Sequence, residues 1–160
     1  MIAMRQAGPG LAGYPLMLAQ LEALLADERD FIANAAQFSA FLFQELAGLN
    51  WAGFYLVRGE ELLLGPFQGK VACVRIPFGR GVCGTAALSR KTQRVADVHA
   101  FAGHIACDSA SNSELVVPLL KDGRLIGVLD LDSPRPARFS EEDQVGIERL
   151  AEVLLRLSDC

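Results

Sequence analysis

The stretch from Glu114 to Asp132 constrains the fold more than any other. Glu114-Leu-Val-Val-Pro-Leu-Leu120 and Leu125-Ile-Gly-Val-Leu-Asp-Leu-Asp132 are apolar runs separated by Lys121-Asp-Gly-Arg124. Asp-Gly is the pair that a two-residue hairpin turn asks for, because positive φ at both central residues matches the twist of the flanking strands. An isolated hairpin is marginal in water, so the rest of the chain must supply partners for it. Trp51 to Val57 and Glu61 to Gly65, flanking Arg58-Gly-Glu60, have the layout of a second hairpin. Val71 to Ile76, closed by Pro77, reads as the next strand, and a short one is expected near Gln93 to Val95.

Helical spacing brackets these strands. From Tyr14 to about Ala26, Leu18, Leu21, Leu24 and Leu25 fall on one stripe, with Pro15 suited to a first turn. A second helix over about Glu28 to Leu46 aligns Phe31, Ile32, Ala35, Phe38, Leu42 and Leu46 and ends before Gly48 and Asn50. Gly79-Arg-Gly-Val-Cys-Gly-Thr85 reads as a glycine-rich turn opening into a short helix. Ser140-Glu-Glu-Asp143 offers an N-cap and an acidic first turn to a last helix carrying Val145, Ile147, Leu150, Val153, Leu154 and Leu157. Between them, Val98 to Ser113 is a polar loop holding His99, His104 and Cys107. A loop of that length inside a compact domain is functional or disordered. This order implies an α+β domain: a central antiparallel sheet with helices packed on one face and a ligand pocket with loops on the other.

At 160 residues and 51% hydrophobic, one domain with a full core is expected. A net charge of −4 offers no basic field to nucleic acid. No apolar run reaches the ~18 residues of a membrane span, and Gly8, Pro9, Gly13 and Pro15 break up any signal-peptide centre. Four cysteines are too few for a disulfide-stapled scaffold, and no two form a C-x-x-C pair. Their role is therefore read as chemical, in a reducing compartment such as the cytoplasm.

The turn Gly-Val-Cys-Gly-Thr-Ala and the strand "IGVLDLDS" ahead of "FSEEDQ" resemble the GAF domain family over about Asn50 to Leu157. The resemblance implies a single GAF-like domain over 1–160, with a helical leader at 1–49 packed on a core at 50–157. Within that family, "NWAGFYL", "GPFQGKVACVRIPFGRGVCGTAA", "HIACDSASNSELVVP" and "GVLDLDSP" resemble the free methionine-(R)-sulfoxide reductases. That likeness implies a thiol oxidoreductase acting on free methionine-(R)-sulfoxide, without an organic cofactor or metal, and with thioredoxin as reductant. A homodimer formed through the leader is a further expectation, since relatives pair.

The chemistry agrees with the residues. A thiolate can reduce a sulfoxide while becoming a sulfenic acid, which a second thiol resolves. Cys107, in a polar loop open to a small substrate, is the best attacking residue. Cys73, on an expected strand, and Cys83, in a glycine-flanked turn, could each resolve it. Alone, Cys73 reads as a small core residue, and Cys160 belongs to no motif. The resemblance assigns Cys107 as nucleophile, Cys73 as resolving thiol and Cys83 as an accessory one.

Asp130 and Asp132 share one strand face by period-two alternation, and the hairpin partner could bring Glu114 beside them. A strand-end Asp is usually a turn cap, but crowded carboxylates raise one another's pKa and yield a neutral acid that can protonate the leaving oxygen. Trp51 and Tyr55 share a face of the first strand, as core packing or as an apolar pocket wall. The resemblance places Trp51, Tyr55, Glu114, Asp130 and Asp132 in the substrate site. Two other readings compete: a ligand-sensing GAF module without catalysis, and a metal site built from Cys73, Cys83, Cys107 and a histidine.

Overall fold

Asp122 and Gly123 take φ of 52° and 77°, the conformation that their tight turn requires. They join β5 (Ser113–Lys121) to β6 (Arg124–Ser133). The computed structural model describes residues 13–104 and 110–160. Its other elements are α1 (Gly13–Leu25), α2 (Phe31–Glu45), β1 (Trp51–Arg58), β2 (Glu61–Gly69), β3 (Arg75–Pro77), α3 (Gly81–Ser89), β4 (Gln93–Val95) and α4 (Glu141–Arg156). The six strands form one antiparallel sheet in the order β3-β2-β1-β6-β5-β4. The two hairpins therefore meet at the centre, β1 against β6, with Trp51 opposite Asp132 and Gly53 opposite Asp130.

Alternation divides the sheet into two faces. Ala52, Phe54 and Leu56 of β1, Leu115, Val117 and Leu119 of β5, and Leu129 and Leu131 of β6 share a core with α1, α2 and α4. Trp51, Tyr55, Val116 and Val128 point the other way, where α3 covers them with Val82, Cys83, Ala86 and Ala87. The helices are thus split, three behind the sheet and the short one beside the pocket.

Local chemistry sets the helix starts. Asp30 takes the N-cap of α2, its carboxylate accepting from Ala33 N at 2.9 Å, so α2 begins at Phe31, later than the apolar spacing suggests. Ser140 and Asp143 form the reciprocal capping box of α4. Asp143 also accepts from the Tyr14 hydroxyl at 2.6 Å and from Arg138 Nη1 at 3.2 Å, while Arg138 donates to the Ala47 carbonyl. This buried ion pair ties α1, α4 and the end of α2 together.

Val71 to Ile76 departs from the expected strand: only Arg75–Pro77 pairs with β2. Gly69, at φ 131°, turns the chain off the ladder. The carbonyls of Lys70 and Cys73 then accept from Trp51 Nε1 (3.2 Å) and the Tyr55 hydroxyl (3.0 Å) in place of a neighbouring strand. Cys73 accordingly lies in the loop before β3 rather than on a strand.

Candidate active site

The sheet register brings the acidic residues together. Glu114 lies opposite Asp132, and Val116 lies opposite Asp130, which places Glu114, Asp130 and Asp132 on one face of adjacent strands. Trp51, across β6 from Glu114, completes the row on the other side of Asp132. All four line a pocket with Tyr55, Ala72, Ile76, Arg80, Gly81, Val82, Cys83, His104 and Ser111.

One wall is aromatic and fixed. The Trp51 ring stacks on Tyr55 at 5.7 Å and on Phe67 at 5.2 Å. Gly53 makes this possible: a Cβ there would come within 2.3 Å of Phe67 Cβ. With the Trp51 and Tyr55 polar atoms bonded to the loop carbonyls of Lys70 and Cys73, neither ring can turn without breaking a hydrogen bond.

The floor is acidic and dry. Glu114 is 6% exposed and Asp130 5% exposed, and among the described residues no ion pair involves either one. Burial first, and then the negative charges of Asp130 and Asp132, push Glu114 well above the usual carboxylate range. Burial also raises Asp130, whereas its hydrogen bonds from Glu114 and Cys83 pull it down. The same causes favour a protonated Glu114 at the floor of the pocket. Among the described residues Asp130 Oδ1 is buried with no hydrogen-bond partner.

Cys83 faces the same cluster, its thiol donating to Glu114 Oε2 at 3.8 Å. Burial and the surrounding carboxylates hold its pKa well up, so it stays a thiol. Its sulfur and the Glu114 and Asp130 oxygens lie within 4.8 Å of one another, close enough to enclose one small cation. A metal set drawn from Cys73, Cys83, Cys107 and a histidine does not assemble from these parts, because Cys73 is disulfide-bonded and offers no thiolate.

Cys83 and Cys160 are free thiols. Cys160 packs against the core on the helix side of the sheet, away from the pocket. Cys107 lies outside the described residues. The pocket also recruits residues that the sequence reading had not singled out for it: Arg80, His104 and Ser111. His104 and Ser111 lie a few positions either side of Cys107, which is the signal that could have marked them. The His104 pKa is lowered, first by burial and then by His99.

The GAF domain family model matches residues 24–155. The chain is 55% identical over 152 residues to Protein YtsP of Bacillus subtilis, covering 94% of this chain and 93% of that protein. It is 57% identical over 128 residues to the free methionine-R-sulfoxide reductase of Escherichia coli, covering 80% and 78%. The crystal structure of the free methionine-R-sulfoxide reductase of Neisseria meningitidis in complex with its substrate superposes with a TM-score of 0.89 at 47% identity, over 96% of this chain and 95% of that one. An acid-floored, aromatic-walled pocket on a sheet of this topology thus has close counterparts in sequence and in shape, and the chain belongs to the GAF domain family, among the free methionine-R-sulfoxide reductases.

Proposed function

We propose that this chain reduces free L-methionine-(R)-sulfoxide to L-methionine, with Cys107 as nucleophile, Cys73 as resolving thiol and Cys83 as an accessory thiol. The observation that carries this reading is the pair of buried carboxyl groups, Glu114 and Asp130, that face the pocket beside Asp132. With no ion pair to Glu114 or Asp130 among the described residues, this acidic floor suits a positively charged guest, and the α-ammonium of a free amino acid is one. The substrate methyl and sulfur rest against the Trp51 wall, which admits one sulfoxide epimer.

The steps balance as follows. The Cys107 thiolate attacks the sulfoxide sulfur while the Glu114 carboxyl protonates the oxygen, giving methionine and a Cys107 sulfenic acid. Cys73 attacks that sulfenic sulfur and releases water, leaving a disulfide. Two electrons from the thioredoxin dithiol then restore both thiols. The bonded state of Cys73, beside free Cys83 and Cys160, supports Cys107 as its partner in the oxidised form. Cys83, held as a thiol, waits at the floor as an accessory.

This cycle needs a reducing compartment, which favours the cytoplasm. The core shared by α1, α2 and the sheet supports one domain over 1–160, with 1–49 as its leader, and the outer side of that leader is the surface proposed to pair with a second copy. A turnover assay with dithiothreitol tests the central reading. The (R) epimer is consumed, the (S) epimer is spared, and Cys107→Ser lowers turnover by about 10³-fold or more. Full turnover by Cys107→Ser refutes the assignment. Stoichiometric metal on Cys83 with no turnover would instead favour a metal centre.

A further inference from the structure

The loop 70–74 carries Cys73 at the rim of the pocket, and its backbone is held from inside. Trp51 Nε1 and the Tyr55 hydroxyl donate to the Lys70 and Cys73 carbonyls, and Leu64 N donates to the Val74 carbonyl at 2.9 Å. The side chains of Val71 and Val74 face solvent on that fixed frame, 88% and 59% exposed, with half-buried Cys73 between them. Single exposed apolar residues are ordinary. Two of them bracketing a disulfide-bonded cysteine are a different matter, because they give an incoming protein something to bury at the place where its thiol must react. Lys70 stands exposed beside them, whereas the Arg75 guanidinium is paired with Glu61 and Arg80 lines the pocket.

We propose that Val71 and Val74, with the exposed Lys70 beside them, are the docking surface for the protein dithiol that reduces Cys73. This inference rests on the role given to Cys73 above. The occupant is a small protein whose reactive thiolate lies in an apolar surface patch. The valines bury that patch, and the Lys70 ammonium attracts and stabilises the thiolate. The partner's thiolate attacks Cys73 Sγ; the S–S bond breaks, and its electron pair leaves on the sulfur that was bonded to Cys73. The partner's second thiol, losing its proton, then attacks the partner sulfur of the mixed disulfide and releases Cys73 as a thiolate. Two electrons enter the enzyme, and the partner departs as a disulfide. Substrate and reductant thus address opposite sides of one loop, with Trp51 and Tyr55 as its inner anchors.

The experiment compares two reductants. In the Val71→Ser/Val74→Ser double variant, turnover driven by dithiothreitol stays within about twofold of the unmodified protein, while the KM for thioredoxin rises about tenfold. Lys70→Glu lowers kcat/KM for thioredoxin several-fold at low salt and less at high salt, again with dithiothreitol turnover unchanged. Thioredoxin lacking its second cysteine becomes trapped on Cys73, as peptide mapping reads directly. An unchanged thioredoxin KM in the double variant, or trapping on another cysteine, overturns the proposal. So does a double variant that alters only the oligomeric state, which would assign the patch to a second copy of this chain. If the unmodified protein fails with dithiothreitol itself, the reductase reading has failed first, and the docking surface falls with it.

Discussion

Two buried acidic centres lie on opposite sides of the same sheet, and they differ in what faces them. Asp143, at the start of α4, receives hydrogen bonds from Arg138, Tyr14 and Ser140. Its side chain is 10% exposed and that of Arg138 is 1% exposed, so charge is matched with charge where water cannot help. Glu114 and Asp130 are as deeply buried, yet their neighbours are another carboxylate, a thiol, aromatic rings and His104. The first centre joins α1, α4 and the chain after α2. The second has no ion pair to Glu114 or Asp130 among the described residues, a burial cost that the proposed cationic guest would offset on binding. A buried carboxylate thus reads as structural or functional from what faces it.

The comparison can be broken first at the paired centre. Arg138→Met leaves Asp143 buried beside Tyr14 and Ser140 without its cation, and is expected to cost about 3–5 kcal/mol in a denaturant titration. The folded fraction should retain its turnover. Lost turnover at unchanged stability would merge the two centres into one. Glu114→Gln should act in the opposite sense. It removes the proton donor and lowers kcat/KM by at least about 10²-fold.

The same substitution should raise stability at neutral pH by of order 1–3 kcal/mol, the cost of an uncompensated buried polar group. The sign follows from linkage. Glu114 is raised in the folded protein, so its contribution is fully present below the ordinary carboxylate pKa and is lost as pH rises through the raised one. The gain in Glu114→Gln should therefore be largest in alkaline solution and vanish near pH 4. A gain that grew toward acid would show that Glu114 is ionised and stabilising. Turnover should likewise fall as pH rises through that same raised pKa, because the donor is then empty.

The smallest expected effect concerns the wall. Trp51→Leu keeps apolar surface but loses the stack with Tyr55 and Phe67, and should raise KM for the sulfoxide about tenfold while blurring the preference between epimers. An unaltered epimer ratio would move stereochemical control elsewhere in the pocket.

Much of this was legible in the sequence because the signals are local. Asp122-Gly123 specified a hairpin, Ser140 with Asp143 specified a helix start, and period-two alternation put Asp130 and Asp132 on one face. Other features depend on contacts between residues far apart in the chain. Val71 to Val74 has strand-forming side chains, but hydrogen bonds from Trp51 and Tyr55 compete for its carbonyls, and no local pattern announces that. The Arg138 to Asp143 pair owes its importance to Tyr14, 129 residues away from Asp143. Cys83 in its glycine-flanked turn could be read as core or as thiol chemistry, and only the fold shows it buried against the carboxyl groups of Glu114 and Asp130.

The acidic floor is tested most directly by removing the charge it is proposed to receive. Side-by-side kcat/KM values for free L-methionine-(R)-sulfoxide and its N-acetyl derivative, with dithiothreitol as reductant, isolate the ammonium. A buried acidic floor that binds that group predicts at least about a 10²-fold preference for the free amino acid. Equal rates on the two would contradict it.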